Sequence, residues 1–380
     1  MTQPPPPPNG SWNPGPGGWP QGYPGGQPGP QWNPQQGWPQ TPPPQKRGFA
    51  KWIIGGVALV GVIAVTAVVA VSCTKSSGGT DKPTAAPTTS GAPTSDFASA
   101  NDTGPVSVIT EDPSCAPWVP INNTLADVEQ KGWSQRDPSL PAAVWGPDLR
   151  SQYQEVGQAM RDAADQTEPL AQLTTHRVMR ELFQQFIAYA RTYADRIPTY
   201  APSDDHLART ASTAATVLTN ICNAIAYGSA AARGPLVPLG DHQTPAPTLE
   251  AKASPEQLFI TTPDPVCADW ATAVDKFSSD PAVVAWVNTD SKLSAAQWTP
   301  DQKSINQAII PVMKNSAAEF QSLGERSENQ QLRDFAALAG QYRSAFALAI
   351  PTFNPSDEYL FDTSRFAAGV VGEACKAAGA

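Results

Sequence analysis

One apolar run dominates the first part of the chain: Trp52 to Val71 reads WIIGGVALVGVIAVTAVVAV, 20 residues without a charge. At 1.5 Å per residue it reaches about 30 Å, the depth of a bilayer's hydrocarbon core, so the pattern predicts a transmembrane helix over 52–72. Farther on, apolar positions recur every three or four residues, the spacing of one helix face. Met179, Leu182, Phe186, Tyr189, Tyr193 and Ile197 make one such stripe, and Leu332, Phe335, Ala339, Tyr342, Phe346 and Ile350 make its like. A later pair runs through Leu207, Ala211, Ala214, Leu218, Ile221 and Ile225, and through Leu360, Ala367, Val371, Ala374 and Ala378. Pro147 and Pro300 suit a first helical turn, with Thr299 as a cap, and the stripes through Ile197 and Ile350 must stop before Pro198 and Pro351. Ser203 and Ser356 are expected to cap the next helices ahead of acidic first turns.

These stripes come in pairs because the sequence repeats itself. Asp112-Pro113 through Cys115 to Trp118 returns as Asp264-Pro265 through Cys267 to Trp270, an offset of 152. At an offset of 153, Trp133 answers to Trp286, Trp145 to Trp298, Tyr189 to Tyr342 and Cys222 to Cys375. Two copies predict a duplicated domain rather than a solenoid. The expected fold is all-α: two homologous antiparallel helical-bundle repeats, over 109–233 and 261–380, joined by a Pro-rich linker over 234–260.

Residues 1–45 form a different kind of chain, rich in Pro, Gly, Gln and Asn and with no aliphatic side chain after Met1, so a disordered tail is expected there. Aromatics sit beside prolines at Trp12, Trp19, Tyr23, Trp32 and Trp38. That pattern fits either a recruitment tail for an aromatic-lined groove or a solvated spacer. The stretch 73–108 is rich in Thr, Ser, Pro and Ala and is expected as a disordered linker, with candidate glycosylation sites. Lys46, Arg47 and Lys51 precede the apolar run and only Lys75 follows closely, which places the N-terminus in the cytoplasm and the C-terminal region outside the plasma membrane. Ser72-Cys73 also suits a lipidation signal, but the apolar core is longer than the roughly 7–15 residues of a signal peptide. The tail, the basic stretch Lys46–Trp52 and the helix together resemble the Pro/Gly-rich single-pass envelope membrane proteins of mycobacteria and their relatives. The resemblance implies an envelope location and names no activity.

Charge narrows the partners. Residues 1–80 hold four bases and no acid, so the rest carries −13 of a chain whose net charge is −9. An acidic outer region repels nucleic acid and anionic lipid, so no nucleic-acid partner is expected. Outside the cytoplasm cysteines pair, and the repeat makes Cys115 with Cys222 and Cys267 with Cys375 the pairing each copy can form by itself. Cys73 stays open between a free thiol, a lipidated one and an intermolecular bridge. His176, His206 and His242 are not shared by the repeats and show no metal spacing, so no metal, cofactor or catalytic residue is assigned. His176, with Arg177 and Arg180 beside it, is expected on a solvated helix face. Asp204-Asp205 and Asp357-Glu358 are explained by the helix dipole. The paired tryptophans Trp118 and Trp270, Trp133 and Trp286, and Trp145 and Trp298 are read as core plugs, or more sharply as contacts for a ligand or partner. The sequence thus predicts a non-enzymatic, membrane-anchored interaction or scaffold protein of the bacterial envelope, with an envelope protein as partner. The alternative is an extracytoplasmic sensor or carrier that binds a small molecule, lipid or glycan within the bundle.

Overall fold

The computed structural model describes residues 97–239 and 257–380, so the expected tail over 1–45, the expected membrane helix over 52–72 and most of the expected linker over 73–108 lie outside the described residues. Within them the chain is all-helical, with no strand. Helix α1 spans Cys115–Glu129, α2 Pro147–Leu173, α3 Arg177–Arg196, α4 Asp205–Ala226 and the short α5 Ser229–Arg233. Beyond the second linker come α6 (Cys267–Ser279), α7 (Pro281–Trp286), α8 (Pro300–Glu325), α9 (Gln330–Ala349) and α10 (Glu358–Ala377). No helix among the described residues is long and apolar enough to cross a membrane.

The local signals act largely as the sequence implied. Pro147 and Pro300 open α2 and α8, where a missing N–H costs nothing, and Thr299 Oγ1 accepts from Gln302 N at 3.3 Å. Helices α3 and α9 stop at Arg196 and Ala349, ahead of Pro198 and Pro351. The capping serines are a correction. Residues Pro202–Asp204 and Pro355–Asp357 form single 3-10 turns, in which Asp204 accepts from Ala201 N (2.8 Å) and Asp357 from Asn354 N (2.9 Å). Ser203 and Ser356 sit inside these turns and not at their N-caps, which are Ala201 and Asn354, and Asn354 Oδ1 accepts from Ser356 N (3.2 Å).

All described helices share one hydrophobic core. The stripe on α3 from Met179 to Ile197 and that on α9 from Leu332 to Ile350 are buried throughout. Burial of α3 goes further: every residue from Arg177 to Ala190 is buried, the mark of a helix covered on all sides. Three residues (174–176) separate α2 from α3, a connection short enough to make them antiparallel neighbours. Helix α4 packs along α10, joining the two halves.

Both disulfides expected from the sequence are formed, Cys115–Cys222 and Cys267–Cys375, closing loops of 107 and 108 residues. They tie the starts of α1 and α6 to the C-terminal parts of α4 and α10, and loops of this length stabilise by up to about 4–5 kcal/mol in the chain-entropy view. Further interactions recur in both halves. Trp145 donates to Leu140 O (2.8 Å) as Trp298 does to Leu293 O (3.0 Å), and Ala142 N meets Tyr200 O as Ala295 N meets Phe353 O.

The segments leading into each half carry it across to the other. Ile109 N donates to Tyr342 Oη of α9 (3.2 Å), while Phe259 N donates to Gln185 Oε1 of α3 (3.0 Å). Residues 97–108, expected within the linker, therefore behave differently from its composition: Ser99, Val106 and Val108 are buried and Ala98 N bonds to Gln172 O. A few apolar side chains suffice for docking once a preformed helix pair offers a seam.

Close helix approach can be tested at two glycines. A Cβ on Gly340 would meet Ala317 O at 2.9 Å, whereas one on Gly372 has its nearest neighbour at 4.0 Å. Thermal or urea unfolding should show Gly340→Ala destabilised by about 1–3 kcal/mol through overpacking, and Gly372→Ala stabilised by up to about 1 kcal/mol through helix propensity. Equal effects at the two positions would contradict this packing of α9 against α8.

Candidate functional site

Helices α1 and α2 lie side by side but do not close on each other. Trp118, Ile121 and Leu125 turn one face of α1 to the core, and Tyr153, Val156, Met160 and Ala164 do the same for α2. Where the outer flanks meet, α2 presents only Ala159 and Ala163 and α1 presents Thr124, so side-chain volume is missing. A groove of about 420 Å³ results, with Ile121, Leu125, Val128, Ala159 and Ala163 as its apolar floor. Its polar margin on α2 is Glu155, Gln158, Asp162 and Gln166. Gln158 Nε2 donates to Asp162 Oδ1 (2.8 Å), and Lys131 Nζ lies 3.2 Å from Glu155 with both side chains more than half exposed. Such an exposed pair is worth well under about 1 kcal/mol and is easily exchanged for another cation.

Across Gln158 lies a second, more polar hollow of about 340 Å³, lined by Trp145, Arg150, Gln154, Arg161 and Ile197 among others. Of the six tryptophans singled out from the sequence, Trp145 lines this hollow, and none lines the apolar groove. Its ring packs on Tyr153, centroids 3.9 Å apart. Trp118 and Trp270 are fully buried, against Phe183 and Phe186 and against Phe320, and their indole N–H groups reach Thr219 Oγ1 and Ala368 O. Trp133 and Trp286 are buried too, Trp133 beneath the Arg136 guanidinium and Trp286 against Phe346 and Phe361. Trp298 is half-buried and stacks on Phe353.

The face around His176 is corrected by the structure. Arg177 and Arg180 are 4% and 2% exposed, not solvated, because residues 97–104 and α9 cover that end of α3. Arg177 makes a two-pronged bond to Asp334 of α9 (2.7 and 3.1 Å) and donates to Asp102 O and Gly104 O. Arg180 donates to Ser99 Oγ (2.8 Å) and stands 3.9 Å from Glu181. His176 itself precedes the helix, half-buried, with Nε2 at 3.0 Å from Glu111 O. Burial raises the Glu181 carboxyl well above its ordinary value, and the charge of Asp334 adds to this against the pull of Arg180 and Arg177.

Other ionisable groups also serve the fold. Asp205 pairs with Arg136 and Arg209, and Asp357 pairs with Arg233, so these acids do more than face a helix dipole. His206 Nδ1 meets Glu373 at 2.7 Å between α4 and α10, and His242 lies outside the described residues. Arg343 of α9 is buried among Phe277, Phe320 and Phe361, bonds to Ser316 and Ser364 hydroxyls, and is pushed down to about 9 by burial. Among the described residues no group of three or more His, Cys, Asp or Glu is placed to hold a metal ion.

Sequence reasoning missed the groove. Its signal was present as Ala159 and Ala163 four residues apart, with Glu155 before them and Asp162 between them, but only the position of α1 turns small residues into a hollow.

The family described as "Mycobacterial ESX-1 associated protein" matches residues 97–379. An uncharacterised protein of Mycolicibacterium smegmatis (strain MKD8) is 47% identical over 347 residues, covering 90% of each chain. No solved structure matches.

The buried carboxyl of Glu181 makes stability depend on pH. An acid whose folded value is raised takes up a proton on folding. Its cost is therefore absent below the ordinary value of 4.5 and grows as pH rises, at roughly 1.4 kcal/mol per pH unit, until the folded group ionises. Glu181→Gln should match the parent's melting temperature in mild acid and exceed it progressively toward neutral pH. A difference that stays constant with pH would contradict the assignment.

Proposed function

This chain belongs to the mycobacterial ESX-1 associated protein family, and from that premise we propose that it is a non-enzymatic, membrane-anchored scaffold of the cell envelope that serves the ESX-1 system by binding another envelope protein. The observation that carries the proposal is the open apolar groove between α1 and α2. It is a surface left unfilled between two helices, with an apolar floor and a polar margin. The apolar run at 52–72 supplies a single-pass anchor, and its flanking charges leave the bundle outside the cytoplasm. Two disulfides support that side, since cytosolic thiols are kept reduced.

In this reading the bundle is a duplicated helical unit. Matched disulfides, matched tryptophan bonds and lead-in segments that cross between halves support an ancestral repeat fused into one core. The inner tail 1–45 then offers its Pro-flanked aromatics to a cytoplasmic partner. A carrier that encloses a small ligand is the second reading, and it fits less well because the 420 Å³ space opens along the surface between two helices.

A mycobacterial strain lacking the chain should lose ESX-1-dependent secretion and regain it with the full chain, but not with a chain lacking residues 52–72. Unchanged secretion on deletion would remove the ESX-1 role. Full rescue by the anchorless chain would remove the membrane role.

A further inference from the structure

The groove has a definite length, floor and sign of charge, and together these specify an occupant. On α1 it runs from Ile121 to Val128 and on α2 from Glu155 to Gln166. Eleven steps of 1.5 Å give about 16 Å along α2, the length of roughly three helical turns. The floor offers no charged group: Ile121, Leu125 and Ala163 are buried at its base, and the half-buried Val128 and Ala159 give it an apolar surface suited to aliphatic side chains. Glu155 and Asp162 stand on one wall seven residues apart, which sets them about 10.5 Å from each other along the helix. The surroundings lean the same way: α1 and α2 carry Asp127, Asp148, Glu155, Asp162, Asp165 and Glu168 against Arg150 and Arg161, with Asp165 and Glu168 paired to Arg191 of α3, while burial raises the Glu129 carboxyl to about 7.

We propose that this groove docks a basic amphipathic helix of a partner protein, its aliphatic residues at i, i+3 or i+4, and i+7 filling the floor and two Lys or Arg residues one heptad apart meeting Glu155 and Asp162. Helix-in-groove recognition uses this pattern of anchors. Charge disfavours the competing occupants: anionic lipid, nucleic acid and the outer region of a second copy of this chain, at −13, all meet a like-signed wall. Lys131 already shows how an ammonium sits at Glu155, and a partner's cation would displace it at little cost. The carboxylate of Asp162 holds only the neutral Gln158 amide in the groove and is ready for a cation.

The proposal rests on the interaction reading but is tested apart from it. The full chain in detergent is titrated with a fluorescent three-turn helical peptide carrying Leu at the anchor positions and Lys on the flanks, and with two controls, Glu for Lys and Ser for Leu. The Lys peptide should bind saturably, at least tenfold more tightly than either control, and lose affinity as salt rises. Ala159→Phe fills the groove and should weaken binding tenfold or more. Glu155→Gln with Asp162→Asn, two exposed changes that leave the core untouched, should do the same and flatten the salt dependence. No saturable binding, equal affinity for the Lys and Glu peptides, or affinity unchanged in Ala159→Phe would overturn the proposal. If the peptide fails while secretion still depends on the chain, the scaffold reading stands and its contact lies elsewhere. If the peptide binds while secretion is indifferent, the groove stands and the ESX-1 role falls.

Discussion

The fold depends on one demanding condition, that α3 is buried on every side while carrying Arg177, Arg180, Glu181, Gln184 and Gln185. A buried charge without a partner costs several kcal/mol, so each of these side chains restricts what packs around it. Arg177 needs a carboxylate and finds Asp334 on α9; Gln185 needs a backbone and finds Gln257 and Phe259. Asp334, Gln257 and Phe259 come from the other half of the molecule, while Arg180 turns to Ser99 and Glu181 of its own half. A buried ion pair of this kind adds less to stability than to specificity, and here it fixes the register of α3 against α9.

Much of the architecture follows once that register is set. In the α4–α10 seam Gly369 lies so near Thr213 that an added Cβ would meet its methyl at 3.1 Å, and the disulfides pin α1 and α6 to the ends of α4 and α10. Both flanks of α2 are left on the outside. One flank holds alanines where α1 passes, and the groove is the result. Its chemistry comes from what the fold did not consume.

Helix periods, proline boundaries and cysteine pairing were legible in the sequence because each is a local or repeated signal. The stripe from Met179 to Ile197 and the stripe from Leu332 to Ile350 are core faces, and Pro147 and Pro300 begin their helices. Arg177 and Arg180 were misplaced because a single helix viewed alone has a polar face, and nothing in its own period tells that residues 97–104 will cover it. The capping serines were misplaced because a 3-10 turn precedes each helix and puts Ser203 and Ser356 inside it, with the N-cap position two residues earlier, at Ala201 and Asn354. The groove is a property of two helices at once, and no one-dimensional pattern contains it.

If the α1–α2 groove is the face this protein turns to its partner, a crosslink made in living cells will capture that partner there. A photoreactive residue would replace Gln158, inside the groove, or Lys303, exposed on α8. The account predicts a discrete adduct from position 158 whose crosslinked peptide is helical and basic, and none of comparable yield from position 303. An adduct at 303 with nothing at 158, or equal capture at both, would contradict it.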